Sequence, residues 1–131
     1  MAMSLRLTLK PHERVIIGGA VLRNGPSQVR LAVENEVPVL READILSPGA
    51  VRTPCERVYL ALQLLYVDPG AAAQHEATYH ALAAEVLEAA PSCRPHFEAI
   101  GGHLARRNYY QALKRAQGLL RHERRLLAHV H

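Results

Sequence analysis

The sequence has no tryptophan, one phenylalanine and two cysteines, and aromatic residues make up 5% of its 131 positions. The first 46 residues contain no tryptophan, phenylalanine or tyrosine, which removes the aromatic platforms on which RRM and OB-fold surfaces rely. Cys55 and Cys93 lack CxxC spacing, so neither a disulfide framework nor a thiolate zinc site is indicated. No stretch approaches the roughly 18 to 20 consecutive apolar residues of a membrane-spanning helix. The start Met1-Ala2-Met3-Ser4 lacks the charged, apolar and cleavage regions of a signal peptide, so a soluble cytoplasmic protein without membrane partners is expected. Gly18-Gly19 follows a strand-like run, but GxxxxGK[ST] and GxGxxG are both missing and a tight turn is the better reading.

What is present fits a globular chain holding one domain or two very small ones, with 49% hydrophobic and 21% charged residues. The net charge of +4 is too small to announce a nucleic-acid binder. Its distribution is more informative: residues 1–50 carry +1, residues 51–100 carry −3 and residues 101–131 carry +6. The last third therefore favours phosphate-bearing or acidic partners, unless it is simply a solvated face beside an acidic helix.

From Ser4 to Leu40 the pattern is that of short strands. Leu5, Leu7 and Leu9 alternate with Arg6, Thr8 and Lys10, giving a strand with one buried and one wet face that Pro11 stops. Val15-Ile16-Ile17 and Ala20 to Arg23 flank Gly18-Gly19, and Asn24-Gly25-Pro26 supplies the next turn. Val29, Leu31 and Val33 alternate with Gln28, Arg30 and Ala32. Val37 to Leu40 reads as a last strand in which Pro38 argues for an edge position.

After Ser47-Pro48-Gly49 the pattern becomes helical. Thr53-Pro54 with Glu56 in the first turn is a strong start signal. Between Val58 and Val67 only Gln63 is polar, so this helix is expected to be central. A second helix runs from Ala71 to Ala90, with Tyr79, Leu82, Ala83 and Val86 on one face. A third runs from about Pro95 to Arg106, weakened in its middle by Gly101-Gly102, with a break near Arg107-Asn108. The final helix, from about Asn108 to His129, carries an apolar stripe of Tyr109, Ala112, Leu113, Ala116, Leu120 and Leu127. It also carries a cationic stripe of Arg107, Lys114, Arg121 and Arg125. Glu123 falls inside the apolar stripe and needs a partner if buried, for which Arg57 or Arg52 is the candidate, unless the helix edge brings it to water.

The fold class read from this is α+β, a small antiparallel β module of four to five strands at 1–46 followed by about four helices at 54–131. A forty-residue sheet buries little surface alone, so the two parts are expected to share a core.

Catalysis is unsupported: no catalytic residue, metal site or cofactor is called for. None of the eight histidines, His12, His75, His80, His96, His103, His122, His129 and His131, stands in HExxH or another recognised ligand spacing. Cys55 sits near a helix N-terminus, where the dipole lowers a thiol pKa, but no base accompanies it, and a packed cysteine is expected. Glu34, Glu36, Glu42 and Asp44 read as solvated strand and turn residues, with Glu42 able to pair with Arg41. Binding is better supported. Arg6, Thr8, Lys10 and Arg30 lie on polar strand faces and Arg41 ends the last strand, a pattern suited to single-stranded RNA through phosphate contacts, base hydrogen bonds and guanidinium stacking. Ordinary amphipathic strands have the same composition.

Several segments together resemble the FlbT family of flagellum biosynthesis repressors of flagellated alphaproteobacteria. They are Leu7-Thr8-Leu9-Lys10-Pro11-His12-Glu13-Arg14-Val15-Ile16-Ile17-Gly18, Leu40-Arg41-Glu42-Ala43-Asp44-Ile45-Leu46, Thr53-Pro54-Cys55-Glu56-Arg57-Val58-Tyr59-Leu60-Ala61-Leu62-Gln63 and Tyr109-Tyr110-Gln111-Ala112-Leu113-Lys114. The resemblance implies a cytoplasmic post-transcriptional regulator acting on the 5′ untranslated leader of flagellin mRNA and coupling flagellin synthesis to flagellar assembly, by repressing translation or promoting decay. Some members promote expression instead. A weaker similarity, in Glu13 to Gly18, Gln28-Val29-Arg30 and Val39-Leu40-Arg41-Glu42, is to the carbon-storage-regulator family of RNA-binding proteins. By position it implies contacts from Arg41 above all, from Val39 beside it, and from Leu7 and Lys10 on the first strand. The arginine that family carries on its first strand falls at Leu9, with Lys10 as the neighbouring cation. Its members interlock through first and last strands, which implies a homo-oligomer.

The RNA surface expected is therefore Leu7, Lys10, Arg30, Val39 and Arg41, with Arg107, Lys114, Arg121 and Arg125 as a secondary basic stripe. The rival reading is a protein-interaction adaptor whose helical part binds a flagellin, a flagellar regulatory protein or the mRNA decay machinery.

Overall fold

The computed structural model describes residues 4–129 and divides the chain into two units, one ending at Ile45 and one beginning at Leu46. The α+β class is observed: five strands, then four α-helices.

In the first unit β1 (Leu5–Leu9) pairs antiparallel with β4 (Val29–Val33), with Leu7 opposite Leu31 and Thr8 opposite Arg30. The other sheet has the order β3-β2-β5, formed by β2 (Arg14–Ile17), β3 (Ala20–Arg23) and β5 (Val39–Arg41). β2 and β3 are joined by Gly18 and Gly19 alone, at φ of 59° and 87°, as a two-residue type I′ hairpin needs. The last strand begins two residues later than the sequence pattern indicated and takes in Arg41. Val37-Pro38 stays outside it, although the Pro38 carbonyl still accepts from Gly18 N at 2.9 Å. β5 is an edge strand, as the proline indicated. Leu7, Leu9 and Val15 form the core of this unit, with Ile17, Leu31, Val33 and Val39 packed against it. The alternation of β1 is realised at Leu7 and Leu9, which point inward while Arg6 and Thr8 point outward; Leu5, expected on the buried face, is 47% exposed at the start of the strand.

In the second unit α1 (Pro54–Val67) packs on both α2 (Ala72–Ala89) and α4 (Tyr109–Ala128), and α3 (Arg94–Ala105) packs on α4. The centrality of α1 follows from its apolar circumference: Val58, Tyr59, Ala61, Leu62 and Leu65 are all buried. Its N-terminus carries the full capping box, Thr53 Oγ accepting from Glu56 N while the Glu56 carboxylate accepts from Thr53 N. Gln63, its one buried non-aromatic polar residue, clamps the chain entering this unit by accepting from Leu46 N at 2.8 Å and donating to Leu46 O at 3.0 Å. Gly101-Gly102 does not interrupt α3, because Ile100 and Leu104 on either side are anchored in the core. On α4 the apolar stripe holds at Ala112, Leu113 and Ala116, while Tyr109 and Leu120 are only half-buried, Leu127 is exposed, and Leu119, outside the expected stripe, is fully buried.

Candidate nucleic-acid interface

Pairing of Thr8 with Arg30 places Arg6, Thr8, Arg30 and Ala32 on the outer face of the β1–β4 pair, all exposed. Beyond β1, a turn from Lys10 to Glu13 passes through His12 at φ 62° and is closed from both ends. Glu13 N donates to Lys10 O at 3.1 Å, and Lys10 N donates to Glu13 Oε1 at 2.8 Å. The second carboxylate oxygen of Glu13 accepts from Arg41 Nη2 at 3.0 Å. The same Nη2 donates to Thr8 O at 2.8 Å, so the side chain of β5 ties one sheet of this unit to the other. Lys10, Pro11, Glu13, Arg41, Glu42 and Ala43 line a cleft of about 550 Å³.

Arg41 is 42% exposed at its side chain, whereas Glu13 is 11% exposed. Both Nη2 protons of Arg41 are spent within the protein, which fixes the guanidinium plane, and among the described residues Nε–H and the two Nη1–H groups are left for a ligand. The carboxyl of Glu13 is held below its ordinary range, first by the Lys10 backbone N–H and then by Arg41. It therefore remains an anion beside the cleft at neutral pH.

Several of the residues singled out by the sequence fall elsewhere than expected. Leu7 is 5% exposed and belongs to the core, because the period of two that turns Thr8 outward turns Leu7 inward, so it supports the surface without forming it. Val39 is half-buried against the same core. Glu42 pairs with Arg14 and not with Arg41. Antiparallel register puts Val15 opposite Arg41 and so Arg14 beside Glu42, whose Oε1 accepts from Arg14 N at 3.2 Å and Nε at 3.4 Å. Lys10 and Arg41 do meet at the cleft, and Arg30 is exposed on β4. Glu13, which orients Arg41, carried only a weak sequence signal, a carboxylate three residues after Lys10 in an inter-strand turn.

The secondary stripe is broken up. Arg107 is not on α4 at all but in the α3–α4 turn at φ 56°, where Asn108 N reaches back to His103 O. Lys114 lies over the Tyr110 ring, 5.9 Å from its centroid. Arg121 and Arg125 remain exposed on the helix.

Residues 5–127 match the family described as flagellar protein FlbT. The chain belongs to the FlbT family. It is 43% identical over 125 residues to the probable flagellum biosynthesis repressor protein FlbT 1 of Bradyrhizobium diazoefficiens, covering 95% of this chain and 85% of that protein. It is 36% identical over 126 residues to a probable flagellum biosynthesis repressor of Rhodopseudomonas palustris, covering 96% and 99%. With the flagellum biosynthesis repressor protein FlbT of Caulobacter vibrioides it shares 35% identity over 133 residues, 98% of this chain and 92% of that one. No solved structure matches the chain.

A regulatory family of this kind is not an enzyme class. Among the described residues no group of three or more His, Cys, Asp or Glu side chains is placed to hold a metal ion. No helix among them is long and apolar enough to cross a membrane. Cys55 does start a helix, but burial and then the charge of Glu123 push its thiol far up, so the dipole does not make it a nucleophile.

Proposed function

We propose that this protein is a post-transcriptional regulator that binds the 5′ untranslated leader of flagellin mRNA at the Lys10–Arg41 cleft and represses translation or promotes decay. The family supports the flagellar and repressive part of this reading, since relatives over nearly the whole chain are named flagellum biosynthesis repressors. The observation that carries the RNA part is the fixed guanidinium of Arg41, half-exposed, with donors to spare, flanked by Lys10 and within one unit with exposed Arg30. A planar fork held in one orientation reads base edges and phosphates and stacks on splayed bases, which single-stranded recognition without aromatic platforms requires.

The test is a gel shift on a flagellin leader at fixed salt. Arg41→Ala is expected to weaken binding more than Arg121→Ala, and Lys10→Ala to fall between them. Specificity against a scrambled leader is lost with Arg41→Ala, whereas Arg121→Ala weakens both RNAs alike and lowers the salt slope by about one. Equal losses for Arg41→Ala and Arg121→Ala would remove the β edge as the reading surface. Nucleic-acid-free protein that fails to bind any leader, yet binds a purified flagellin or flagellar regulator, would replace RNA binding by the adaptor role.

A further inference from the structure

The geometry points to a phosphate-binding site on the seam between α3 and α4, floored by Gly118 and walled by Arg115, Arg121, His96 and His122. Gly118 is buried in the middle of a 20-residue helix, where glycine is among the poorest of helix formers. A side chain there would occupy space that cations already use. A Cβ would lie 2.7 Å from Arg115 Nη1, 3.7 Å from Arg121 Nη2 and 3.7 Å from His96 Nδ1. Nitrogens of three residues, from two helices, thus gather around the glycine, with the Arg115 guanidinium lying closest over it.

The cluster is built rather than accidental in its hydrogen bonding. Arg115 Nη1 donates to His96 Nδ1 at 3.0 Å, so Nδ1 is the acceptor and the imidazole proton sits on Nε2. The His122 ring stands 5.1 Å from that of His96, and His122 Nε2 is 2.9 Å from Ser92 Oγ. Arg115, Arg121 and Arg125 have no carboxylate within ion-pairing distance among the described residues. Glu123, the single acid after residue 100, is spent on Thr53 and Cys55 at the start of α1. Burial first, and then the neighbouring Arg115, His122, Arg125 and Arg121, hold His96 below its ordinary pKa. A tetrahedral oxyanion answers this arrangement. It offers several acceptors to forked guanidinium donors and restores the missing negative charge. The site lies wholly within the helical unit and does not depend on the Lys10–Arg41 reading.

Titration of the full chain with inorganic phosphate, followed by amide and imidazole NMR against chloride at matched ionic strength, tests the site. Saturable shifts are expected at Gly118, His96 and His122. Gly118→Ala keeps every charge and improves helix propensity, yet displaces the Arg115 guanidinium, and is expected to weaken phosphate by about tenfold, the scale of one charge-assisted hydrogen bond. Arg115→Gln is expected to do the same, with thermal melts showing both variants folded. Absence of saturable shifts, or wild-type affinity in both variants, would overturn the site. Competition separates the sources: displacement of phosphate by a short oligouridylate assigns the phosphoryl group to an RNA strand, and displacement by uridine monophosphate alone assigns it to a small phosphorylated metabolite. The Arg41→Ala gel shift is unaffected by either result.

Discussion

Thr53 Oγ donates to Glu123 Oε1 at 2.5 Å, joining residues 70 apart in sequence and tying the start of α1 to the last turns of α4. The same hydroxyl accepts from Glu56 N at 3.1 Å, and Glu123 Oε2 accepts from Cys55 N at 3.1 Å. A carboxylate from one helix therefore completes the cap of another, where the N-terminal dipole favours negative charge. The expected arginine partner, Arg57 or Arg52, is not used. The donors are a hydroxyl and a backbone N–H, which explains how an acid sits in an apolar stripe without a cation.

Thr53→Ala is expected to lower the stability of the helical unit by about 1 to 2 kcal/mol, as loss of an N-cap does. Glu123→Ala removes two acceptors and is expected to cost a similar amount. Because the two side chains share one hydrogen bond, the double variant should lose less than the sum, with a coupling of about 0.5 to 3 kcal/mol in a denaturant double-mutant cycle. Strict additivity would show that the contact contributes nothing.

Much of this was legible because local patterns were strong. The period-two run at Leu5–Leu9, the glycine pair at 18–19 and the Thr53-Pro54 start each encode their own geometry within a few residues. What escaped were choices of partner. Arg41 bonds to Glu13 and not to its neighbour Glu42 because strand register decides which side chains share a face, and register is a property of two strands together. Arg107 left its stripe because the preceding turn closes through a left-handed residue, which sevenfold spacing does not reveal. Leu7 as an RNA contact came from positional resemblance, against an alternation that already placed it inside.

The Glu13–Arg41 pair gives the β unit an acid dependence. A carboxyl whose folded pKa lies below its unfolded value stabilises the fold above the unfolded value, about 4.5, and loses that contribution as pH falls through the folded one. Protection factors of the β1 and β5 amides, the measured exchange set against the intrinsic rate at the same pH, should therefore fall on acidification below about pH 4.5. Glu13→Gln should exchange faster than wild type at neutral pH and converge with it in acid. Parallel curves across the whole range would show that Glu13 is not the responsible group.

Gln63 tests the clamp on the chain entering the helical unit. Gln63→Leu keeps the volume but strands the N–H and C=O of Leu46, both of which it satisfies, at a cost of about 1 to 3 kcal/mol. Gln63→Glu keeps the acceptor for Leu46 N and sets a carboxylate against Leu46 O, so it should be worse than Leu at neutral pH and recover as pH falls and the carboxyl gains a proton to donate. Thermal melts at about pH 5 and about pH 8 distinguish this from a simple packing defect, which would be pH-independent.

The thiols supply the last test. Cys55 and Cys93 are 2% and 1% exposed, and burial raises the pKa of both, the Glu123 carboxylate adding to it. Alkylation requires a thiolate and access, and both are denied here. Iodoacetamide at about pH 8 should leave both thiols unmodified in the folded protein and modify both after denaturation. Glu123→Gln removes the nearby negative charge, so labelling of Cys55 should rise in that variant more than in Thr53→Ala, which loosens the same helix start without removing the charge. Mass spectrometry of the labelled peptides resolves the two sites, and equal labelling in both variants would assign protection to burial alone.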